Sequence, residues 1–266
     1  IMLRTKKFKI IPVLNKNKKI IDVLNFNKLH SYIPVDVIFM AGGEGRRLLP
    51  LTLETPKPLL KVGSKPILEH NLDMLSRYGI KNYTLTVRYL SEMIEKYFLD
   101  GSNKNISIKY IKEKVGLGTI SSVKNGSYEH QDLIVMNSDL LTNLNFEKLF
   151  VFYKKHKADF LVACAPYDVN LPYGIMETKK NKIIKIKEKP TYTYYSNAGI
   201  YIFKKKYLDM IPKNEFYNAT DLIEKLISMK KNVMAYPITE YWLDIGKKED
   251  YRKAQNDIQH INNLIS

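Results

Sequence analysis

The chain has 266 residues, 45% of them hydrophobic, which is enough for one sizeable α/β core with a small appendage. Its formal net charge is +16, but only six of its 43 basic residues are arginines, and the lysines are spread over every segment. This pattern favours anionic small substrates over nucleic acid. The single cysteine excludes an internal disulfide framework, and no apolar stretch reaches the ~18 residues of a membrane-spanning helix. We therefore expect a cytoplasmic protein without a membrane partner, and homo-oligomerisation is left open.

In chain order, the first predicted element is a hairpin with strands over residues 8–14 and 20–24 and a polar turn between them. Its sequence resembles the closing hairpin of a cystathionine-β-synthase (CBS) domain, of which only the last third is present. The chain also begins Ile1-Met2. We interpret residues 1–33 as the C-terminal remnant of a CBS domain with its linker, and residues 34–266 as the main domain. The alternative is that the hairpin is an ordinary edge of the main domain.

From residue 34 onward, strand and helix patterns alternate, which predicts a Rossmann-like α/β fold with a mixed, mostly parallel sheet flanked by helices. Strands are predicted over residues 35–40, 83–88, 106–111, 133–136, 160–165, 199–203 and 242–245, with a lysine-rich hairpin over 173–188. Helices are predicted over residues 67–78 and 92–98, from 120, from an Asn145 cap to 156, over 220–229, and after 245.

The most informative segment is the loop over residues 41–60, which directly follows the first buried strand. Its three glycines, Gly42, Gly43 and Gly45, allow the backbone to approach a ligand closely with free N–H groups. Two arginines follow, and a guanidinium group donates hydrogen bonds in a fork that matches phosphate. The loop is neither a P-loop nor a Rossmann fingerprint, because no Gly-Lys-Ser/Thr follows and the third fingerprint glycine is absent. It predicts a nucleotide-phosphate site of another type.

Two aspartates from distant segments are candidates for binding a shared metal ion. Asp139 follows the apolar strand 133–136, and ligands of open α/β sheets bind at that carboxyl edge. Asp244 lies in the last predicted strand. A lone aspartate at the end of a strand is more often a helix cap. Two carboxylates can share a hard cation such as Mg²⁺, so these aspartates are informative as a pair.

Residues 42–60 resemble the signature of the sugar-1-phosphate nucleotidyltransferases, Gly-Gly-x-Gly-Thr-Arg-Leu-x-Pro-Leu-Thr followed by Pro-Lys-Pro-Leu-Leu. The sequence departs from this signature at Arg46, where the family usually has threonine. Further segments match the family in the expected order, so that the resemblance covers residues 35–258. They contain Gly118-Thr119, Asp139, Tyr173-Gly174, Glu188-Lys189-Pro190, Asn197-Ala198-Gly199 and Trp242-Leu243-Asp244-Ile245-Gly246. The resemblance implies a GT-A-like nucleotidyltransferase fold.

The resemblance also implies a role for each matched residue. The nucleotide would be bound by Ala41, Gly42, Gly43, Gly45, Arg46, Gly118 and Thr119. The sugar would contact Tyr173, Gly174, Glu188 and Asn197, and Mg²⁺ would be bound by Asp139 and Asp244. The catalytic cations would be Arg47 at the pyrophosphate, Lys57 at the nucleotide phosphates and Lys189 at the sugar phosphate.

The implied reaction transfers a nucleotidyl group from a nucleoside triphosphate to a sugar 1-phosphate. Within the CBS-fused branch, GTP and a hexosamine 1-phosphate such as glucosamine 1-phosphate are favoured, in the synthesis of surface glycans. The sugar phosphate needs no general base, because its second pKa is about 6 and it is largely dianionic at neutral pH. A cytidylyl- or uridylyltransferase of the same fold is the alternative. Two other classes stay open: a GT-A glycosyltransferase, although Asp139 lacks an Asp-x-Asp partner, and a non-catalytic nucleotide sensor.

Overall fold

A computed structural model describes residues 9–27 and 29–265, without the side chains of residues 21, 22 and 261–265. The predicted strand start at residue 8 lies outside the described residues. The strands are β1 (Ile10–Leu14), β2 (Ile20–Asn25), β3 (Asp36–Ala41), β4 (Lys61–Val62), β5 (Lys65–Pro66), β6 (Asn82–Val87), β7 (Ser107–Lys112), β8 (Asp132–Asn137), β9 (Leu140–Thr142), β10 (Phe160–Asn170), β11 (Ile175–Lys179), β12 (Lys182–Lys187), β13 (Thr191–Lys204), β14 (Val233–Pro237) and β15 (Trp242–Asp244). The α-helices are α1 (Ile67–Ser76), α2 (Ser91–Phe98), α3 (Phe146–Lys155), α4 (Ala219–Ser228) and α5 (Lys248–Ile265). None of the helices in the described ranges is long and apolar enough to cross a membrane.

The predicted N-terminal hairpin is present, and it stands apart from the main sheet. β1 and β2 pair in antiparallel fashion, with Ile10 opposite Asn25, and form a two-stranded sheet of their own. Ile10, Leu14 and Ile20 expose about half or more of their surface. The hairpin is therefore not an edge strand pair of the main sheet, whereas its assignment to a CBS domain stays a prediction.

The main sheet has seven strands in the described part of the chain, in the order β14-β10-β13-β8-β3-β6-β7. β3 pairs in parallel with β6 and β8, and β6 pairs in parallel with β7. β10 and β14 also form a parallel pair. Among these strands, β13 alone runs antiparallel to its neighbours, β8 and β10. The prediction of a mixed, mostly parallel sheet is confirmed.

The central strand β3 is buried on both faces, as its continuous apolar sequence predicts. Val37 and Phe39 belong to a core that also contains buried residues of α1, α2 and α3. Ile38 belongs to a second core on the opposite face, together with buried residues of α4. Because β3, β6, β7 and β8 are parallel, the residues that follow them lie along the same edge of the sheet.

A third, smaller core lies under the loop that follows β3. It is formed by Leu48, Leu60, Val62, Ile67, Leu141, Ile245, Ala254 and Ile258. Above this core, β15 pairs antiparallel with β9, and Asp244 lies opposite Leu140. This pairing brings Asp244 next to Asp139, which is more than 100 positions away in the chain.

Two strands of the main sheet continue beyond its buried part. β10 and β13 stay paired through Pro166–Tyr195 and Asn170–Thr191, and the hairpin β11–β12 connects them. We call residues 166–195 the arm. Its exposed large hydrophobic side chains are Tyr167, Tyr173, Met176, Ile183, Ile184, Ile186, Tyr194 and Tyr195. The strand predicted over residues 199–203 is therefore much longer, because its amino-terminal half pairs with β10 outside the core.

One predicted helix is shorter and tighter than expected. The helix predicted from residue 120 is a 3₁₀-helix, Ser121–Asn125. The Tyr128 hydroxyl donates a hydrogen bond to the carbonyl of Val123 at 2.6 Å, and Gly126 then turns the backbone to an extended conformation. These contacts satisfy the end of the single turn, and the chain leaves it for β8.

Candidate active site

The glycine-rich loop after β3 is fixed by contacts within its own segment. Gly45 has a φ of +64°, and a Cβ there would lie 2.9 Å from the side chain of Thr52. The buried Thr52 hydroxyl donates a hydrogen bond to the carbonyl of Gly45 at 3.0 Å. A 3₁₀-helix, Arg46–Leu48, follows, and Leu48 is fully buried. The loop therefore holds two consecutive arginines at the start of an anchored turn.

A cavity of about 280 Å³ opens over this loop, and we call it the phosphate cavity. It is lined by Met40, Ala41, Gly43, Gly45, Arg46, Arg47, Lys57, Pro58, Ser138, Asp139 and Gly246. The structure thus brings together most of the residues that the sequence assigns to the nucleotide and to catalysis.

At the floor of the phosphate cavity, cations meet Asp139, and the second predicted metal-binding carboxylate, Asp244, lies beside Asp139 without lining the cavity. Lys57 donates a hydrogen bond to Oδ2 of Asp139, and both side chains are largely buried. The guanidinium group of Arg47 lies against Gly246, 3.4 Å from where a Cβ would stand. Gly246 follows Asp244 by two residues, so all four predicted side chains lie around one point.

Each aspartate keeps one oxygen without a hydrogen bond. Oδ1 of Asp139 and Oδ1 of Asp244 are buried and have no partner among the described residues. Burial and, next, the negative charge of Asp139 raise the pKa of Asp244, although Lys57 and Arg47 act in the opposite direction. Two unpartnered carboxylate oxygens that repel each other fit a divalent cation. No group of three or more His, Cys, Asp or Glu in the described ranges could hold a metal, so other ligands would come from a substrate or water.

A second cavity, of about 260 Å³, adjoins the first one and shares Met40, Gly43 and Asp139 with it. Its other lining residues are Gly42, Thr86, Arg88, Glu113, Gly116, Gly118, Thr119 and Asn137. The two cavities together form one cleft along the carboxyl edge of the sheet.

Besides the shared Asp139, the second cavity presents one acidic and one basic side chain, Glu113 and Arg88. Glu113 accepts a hydrogen bond from the Ser122 hydroxyl at 2.5 Å through Oε1. Its Oε2 lies 3.0 Å from where a Cβ on Gly42 would stand. The guanidinium group of Arg88 lies 3.7 Å from the corresponding position on Gly116. A ligand in this cavity would therefore meet an acceptor and a donor group.

The predicted Gly118-Thr119 turn is joined to the start of α4. Gly118 has a φ of +89°, and a Cβ there would lie 2.5 Å from the carbonyl oxygen of Tyr217. The Thr119 N–H donates to Asn218 Oδ1 at 3.2 Å, and the Thr119 hydroxyl accepts from the Ala219 N–H at 2.9 Å. The chain's own packing therefore requires glycine at position 118, in addition to any contact with a ligand.

Four residues predicted to contact the sugar or its phosphate lie within the arm, at the base of its β11–β12 hairpin, and line neither cavity. Tyr173 and Lys189 are exposed, and Lys189 has a φ of +41°. Oε2 of Glu188 lies 2.9 Å from where a Cβ on Gly174 would stand. The structure thus brings Glu188 and Gly174 together at the base of the hairpin, away from the phosphate cavity.

Asn197, also predicted to contact the sugar, bonds within its own strand. Its amide donates to the Tyr201 hydroxyl at 2.8 Å and accepts from the Gly199 N–H at 2.9 Å. Gly199 has a φ of +69°, and the pairing of β10 with β13 shifts register beside it. In this structure Asn197 shapes an irregular turn of β13.

Both cavities and the arm lie within a segment that one family model matches. The model described as Nucleotidyl transferase matches residues 36–261. The chain belongs to the nucleotidyl transferase family. Its N-terminal hairpin precedes the matched segment, which begins with β3.

The curated relatives of this nucleotidyl transferase include guanylyltransferases. D-glycero-alpha-D-manno-heptose 1-phosphate guanylyltransferase from Aneurinibacillus thermoaerophilus is 32% identical over 230 residues, which cover 85% of this chain and 99% of that protein. Mannose-1-phosphate guanylyltransferase from Mycobacterium tuberculosis is 29% identical, with 84% of this chain and 64% of that protein covered. The chain therefore spans less than two thirds of the mannose-1-phosphate relative.

Solved structures confirm the fold class. HddC from Yersinia pseudotuberculosis, in a complex with GMP-PN, superimposes with a TM-score of 0.66 at 25% identity, over 84% of this chain and 99% of that one. A putative glucose-1-phosphate thymidylyltransferase from Bacillus anthracis gives a TM-score of 0.67 at 21% identity, over 84% and 94% of the two chains. The second similarity supports the fold alone.

The sequence analysis missed two charged residues that line the cleft, Arg88 and Glu113, and it missed Glu44, which is hydrogen-bonded to Arg46 and Arg88. Arg88 and Glu113 each directly follow a strand, β6 and β7, at the carboxyl edge of the sheet. The same signal identified Asp139 and could have identified them. Glu44 stands at the variable position of the loop signature, where the sequence pattern carries no information.

Proposed function

We propose that this nucleotidyl transferase transfers GMP from GTP to a sugar 1-phosphate and releases pyrophosphate. The observation that carries the proposal is the continuity of the two cavities, which meet at Gly43 and Asp139. One cavity suits a base, the other suits phosphates, and the paired carboxylates lie at the phosphate end. A phosphate oxygen of the sugar 1-phosphate would attack the α-phosphorus. The bond from the α-phosphorus to the oxygen that bridges to the β-phosphorus would break, and pyrophosphate would leave.

The residues of the phosphate cavity have separate tasks in this reaction. The free backbone N–H groups of the glycine loop would hold phosphate oxygens, and Arg47 and Lys57 would reduce the repulsion between two anionic substrates. Asp139 and Asp244 would hold Mg²⁺. When bound there, Mg²⁺ would supply neutralisation of the charge that develops on the phosphate oxygens. No side chain needs to remove a proton, because the attacking phosphate is already ionised.

The preference for guanine is argued from Glu113 and Arg88. Guanine carries two adjacent donors, at N1 and N2, and an acceptor at O6. An ionised carboxylate only accepts hydrogen bonds, so Glu113 suits the two donors, while a guanidinium group only donates and suits O6. Uracil offers a single donor between two acceptors, so it would give the Glu113 carboxylate one hydrogen bond where guanine gives two. The guanylyltransferase names of the relatives support the same choice.

For the sugar, we propose a hexosamine 1-phosphate such as glucosamine 1-phosphate, bound by Glu188 and Lys189 at the base of the β11–β12 hairpin. The relatives' names give heptose 1-phosphate and mannose 1-phosphate for those proteins, so these two sugars are the competing substrates. The product would be an activated sugar for the synthesis of surface glycans.

The test is pyrophosphate release over a grid of the four common nucleoside triphosphates plus dTTP, each with glucosamine, mannose, heptose and glucose 1-phosphates. We expect release with GTP and a sugar 1-phosphate in the presence of Mg²⁺. Release with CTP or UTP would instead identify a cytidylyl- or uridylyltransferase. No release with any pair, while nucleotide still binds, would contradict the enzyme assignment. Turnover of a nucleotide sugar with an acceptor would favour a glycosyltransferase.

The base assignment has its own variant. Glu113→Gln replaces one acceptor oxygen with an NH₂ donor and should lower kcat/KM for GTP by ~10–100-fold, because a mispaired polar contact to a base costs ~1–3 kcal/mol of binding free energy. The kcat/KM for UTP should fall much less. Glu129→Gln, which lies outside both cavities, is the control. Equal losses for GTP and UTP would assign Glu113 a structural role.

A further inference from the structure

Arg46 and Arg47 are consecutive but have different partners. Arg47 lies against Gly246, close enough to Asp244 that its charge lowers the pKa of that carboxyl. Arg46 instead donates through Nε to Glu44 at 2.6 Å, while its side chain stays 81% exposed. Both arginines line the phosphate cavity. The cavity thus has one arginine at its floor, together with Lys57, and the other arginine at its rim.

Glu44 links this rim to the second cavity. One oxygen of its carboxylate accepts from Arg46, and the other accepts from Arg88 Nη1 at 3.1 Å. Hydrogen bonds from Arg46 and then from Arg88 lower the pKa of Glu44, so it is ionised at neutral pH. A carboxylate and a phosphate group are both anions that can accept paired hydrogen bonds from a guanidinium group, so a phosphate could replace Glu44 as the partner of Arg46.

The ion pair of Arg46 is easy to exchange. Exposed ion pairs contribute little, because water screens the charges and two flexible side chains must be held together. By contrast, Lys57 is largely buried against Asp139 and has little freedom to change partner. A triphosphate that enters the cavity would therefore recruit Arg46 before it recruited Lys57.

We propose that Arg46 binds the β- and γ-phosphates of the nucleoside triphosphate, the part that leaves as pyrophosphate, and that Glu44 holds Arg46 in place until the phosphates replace it. The inference rests on the proposed function and names the substrate group that Arg46 contacts. Glu44 joins Arg46 to Arg88 of the second cavity, so Arg46 acts on the nucleotide and not on the sugar phosphate. The exchange forms no covalent bond.

The test compares the affinities of GMP, GDP, GTP and pyrophosphate for the wild type and for Arg46→Ala, by calorimetry with Mg²⁺. We expect Arg46→Ala to weaken the affinity for GTP and for pyrophosphate by about tenfold or more, because a charge-assisted, forked hydrogen bond to phosphate is lost. The affinity for GMP should change by no more than about twofold. Arg46→Lys should retain part of the affinity. Equal weakening of GMP and GTP, or no weakening of either, would overturn the proposal.

Glu44→Gln tests the second part of the proposal, that Glu44 holds Arg46 until the phosphates replace it. Removal of the carboxylate should leave the affinity for GTP equal or higher, because a competing anion is lost. If Glu44→Gln weakens the affinity for GTP as much as Arg46→Ala does, Glu44 orients Arg46 in the bound state and is not replaced by phosphate. Arg252→Ala, an exposed arginine of α5 that lines neither cavity, is the matched control.

Steady-state kinetics separate this inference from the proposed function. In an active enzyme, Arg46→Ala should raise the KM for GTP, and for pyrophosphate in the reverse direction, and leave the KM for the sugar 1-phosphate unchanged. If the KM for the sugar 1-phosphate alone rises, Arg46 belongs to the other substrate and the inference is wrong. If the wild type turns over no pair, the proposed function fails, while the difference between GTP and GMP binding still decides the role of Arg46.

Discussion

The cleft proposed for the nucleotide lies where four parallel strands end, whereas the residues expected to hold the sugar lie on the exposed arm, at the base of its β11–β12 hairpin. In the cleft, Lys57, Asp139 and Asp244 are partly or largely buried. The positive charge of Lys57 lies next to the two carboxylates. On the arm, Tyr173, Glu188 and Lys189 are exposed.

The two regions position their side chains in different ways. Carboxylates with unpartnered oxygens stay in place beside the core because strand pairing fixes the backbone beneath them, as between Asp244 and Leu140. The arm has no core of its own, so its side chains are positioned by hairpin geometry and by contacts such as that of Glu188 with Gly174. We expect the first region to govern turnover and the second to govern the choice of sugar.

The largest expected effect concerns the acidic pair. Asp244→Asn should lower kcat by about 10³-fold or more, because the charge that would hold the metal at the transferred phosphate is lost. The variant should fold at least as stably as the wild type, since burial and the charge of Asp139 already disfavour an ionised Asp244. Pyrophosphate release and thermal unfolding check both parts, with the exposed Glu249→Gln as control. Near-normal turnover with Mg²⁺ would show that the metal lies elsewhere.

A matched glycine pair separates loop function from loop packing. Gly118→Ala should destabilise the fold by about 2–4 kcal/mol, because φ is +89° and the new Cβ would lie 2.5 Å from a backbone oxygen. Gly43→Ala should leave stability unchanged, since a Cβ there meets nothing within 4 Å, and should weaken nucleotide binding by filling the cavity. Urea unfolding and GTP titration measure the two. If Gly43→Ala binds GTP normally, the backbone of the loop does not approach the phosphates.

The arm gives the next prediction. Lys189→Ala should raise the KM for the sugar 1-phosphate by about 10–100-fold, the effect of one lost charge-assisted contact to phosphate, with the Kd for GTP unchanged. Lys182→Ala, an exposed lysine of β12, is the control from the same arm. A variant with a weakened Kd for GTP and a normal KM for the sugar would assign Lys189 to the nucleotide side and break the comparison.

The smallest expected effect lies at the opposite end of the sheet, where a carboxylate is fully partnered. Asp159 accepts hydrogen bonds from Lys204, Tyr207 and the Asn232 N–H at 2.7, 2.6 and 3.1 Å. Although burial raises the pKa of Asp159, these hydrogen bonds lower it to about 2. Its unfolded value is about 3.9, so the ionised group stabilises the fold above pH 4, and this contribution is lost as the pH falls toward 2.

Asp159→Asn should therefore lose about 1–2 kcal/mol of stability at pH 7, without loss of turnover, and the deficit should shrink between pH 4 and pH 2. Urea unfolding at pH 7, 4 and 3 measures it, with the exposed Asp209→Asn as control. A deficit that stays constant over this range would mean that the charge of Asp159 does not contribute. The contrast with Asp244 is direct, since we expect one carboxylate to serve stability and the other to serve chemistry.

Much of the nucleotide side was predictable from local sequence. The order of strands and helices, the Asn145 cap of α3 and the two metal-binding candidates all follow from apolar runs that end in polar residues. Glu113 carried the same signal after β7 and was overlooked among neighbouring lysines. Arg46 and Glu44 were not predictable, because only the folded loop shows which carboxylate an exposed arginine contacts.

The sequence by itself determined the sheet, the glycine-rich loop after β3 and the identity of the charged residues around it. These features depend on neighbours in the chain, such as alternation, glycine content and the ends of strands. Only the tertiary structure decided that β15 pairs beside β9, that Lys57 engages Asp139 and that the sugar residues stand on an arm outside the core. The physical reason is that these contacts join segments far apart in the chain, and their free energy comes from packing and charge pairing that no local pattern encodes.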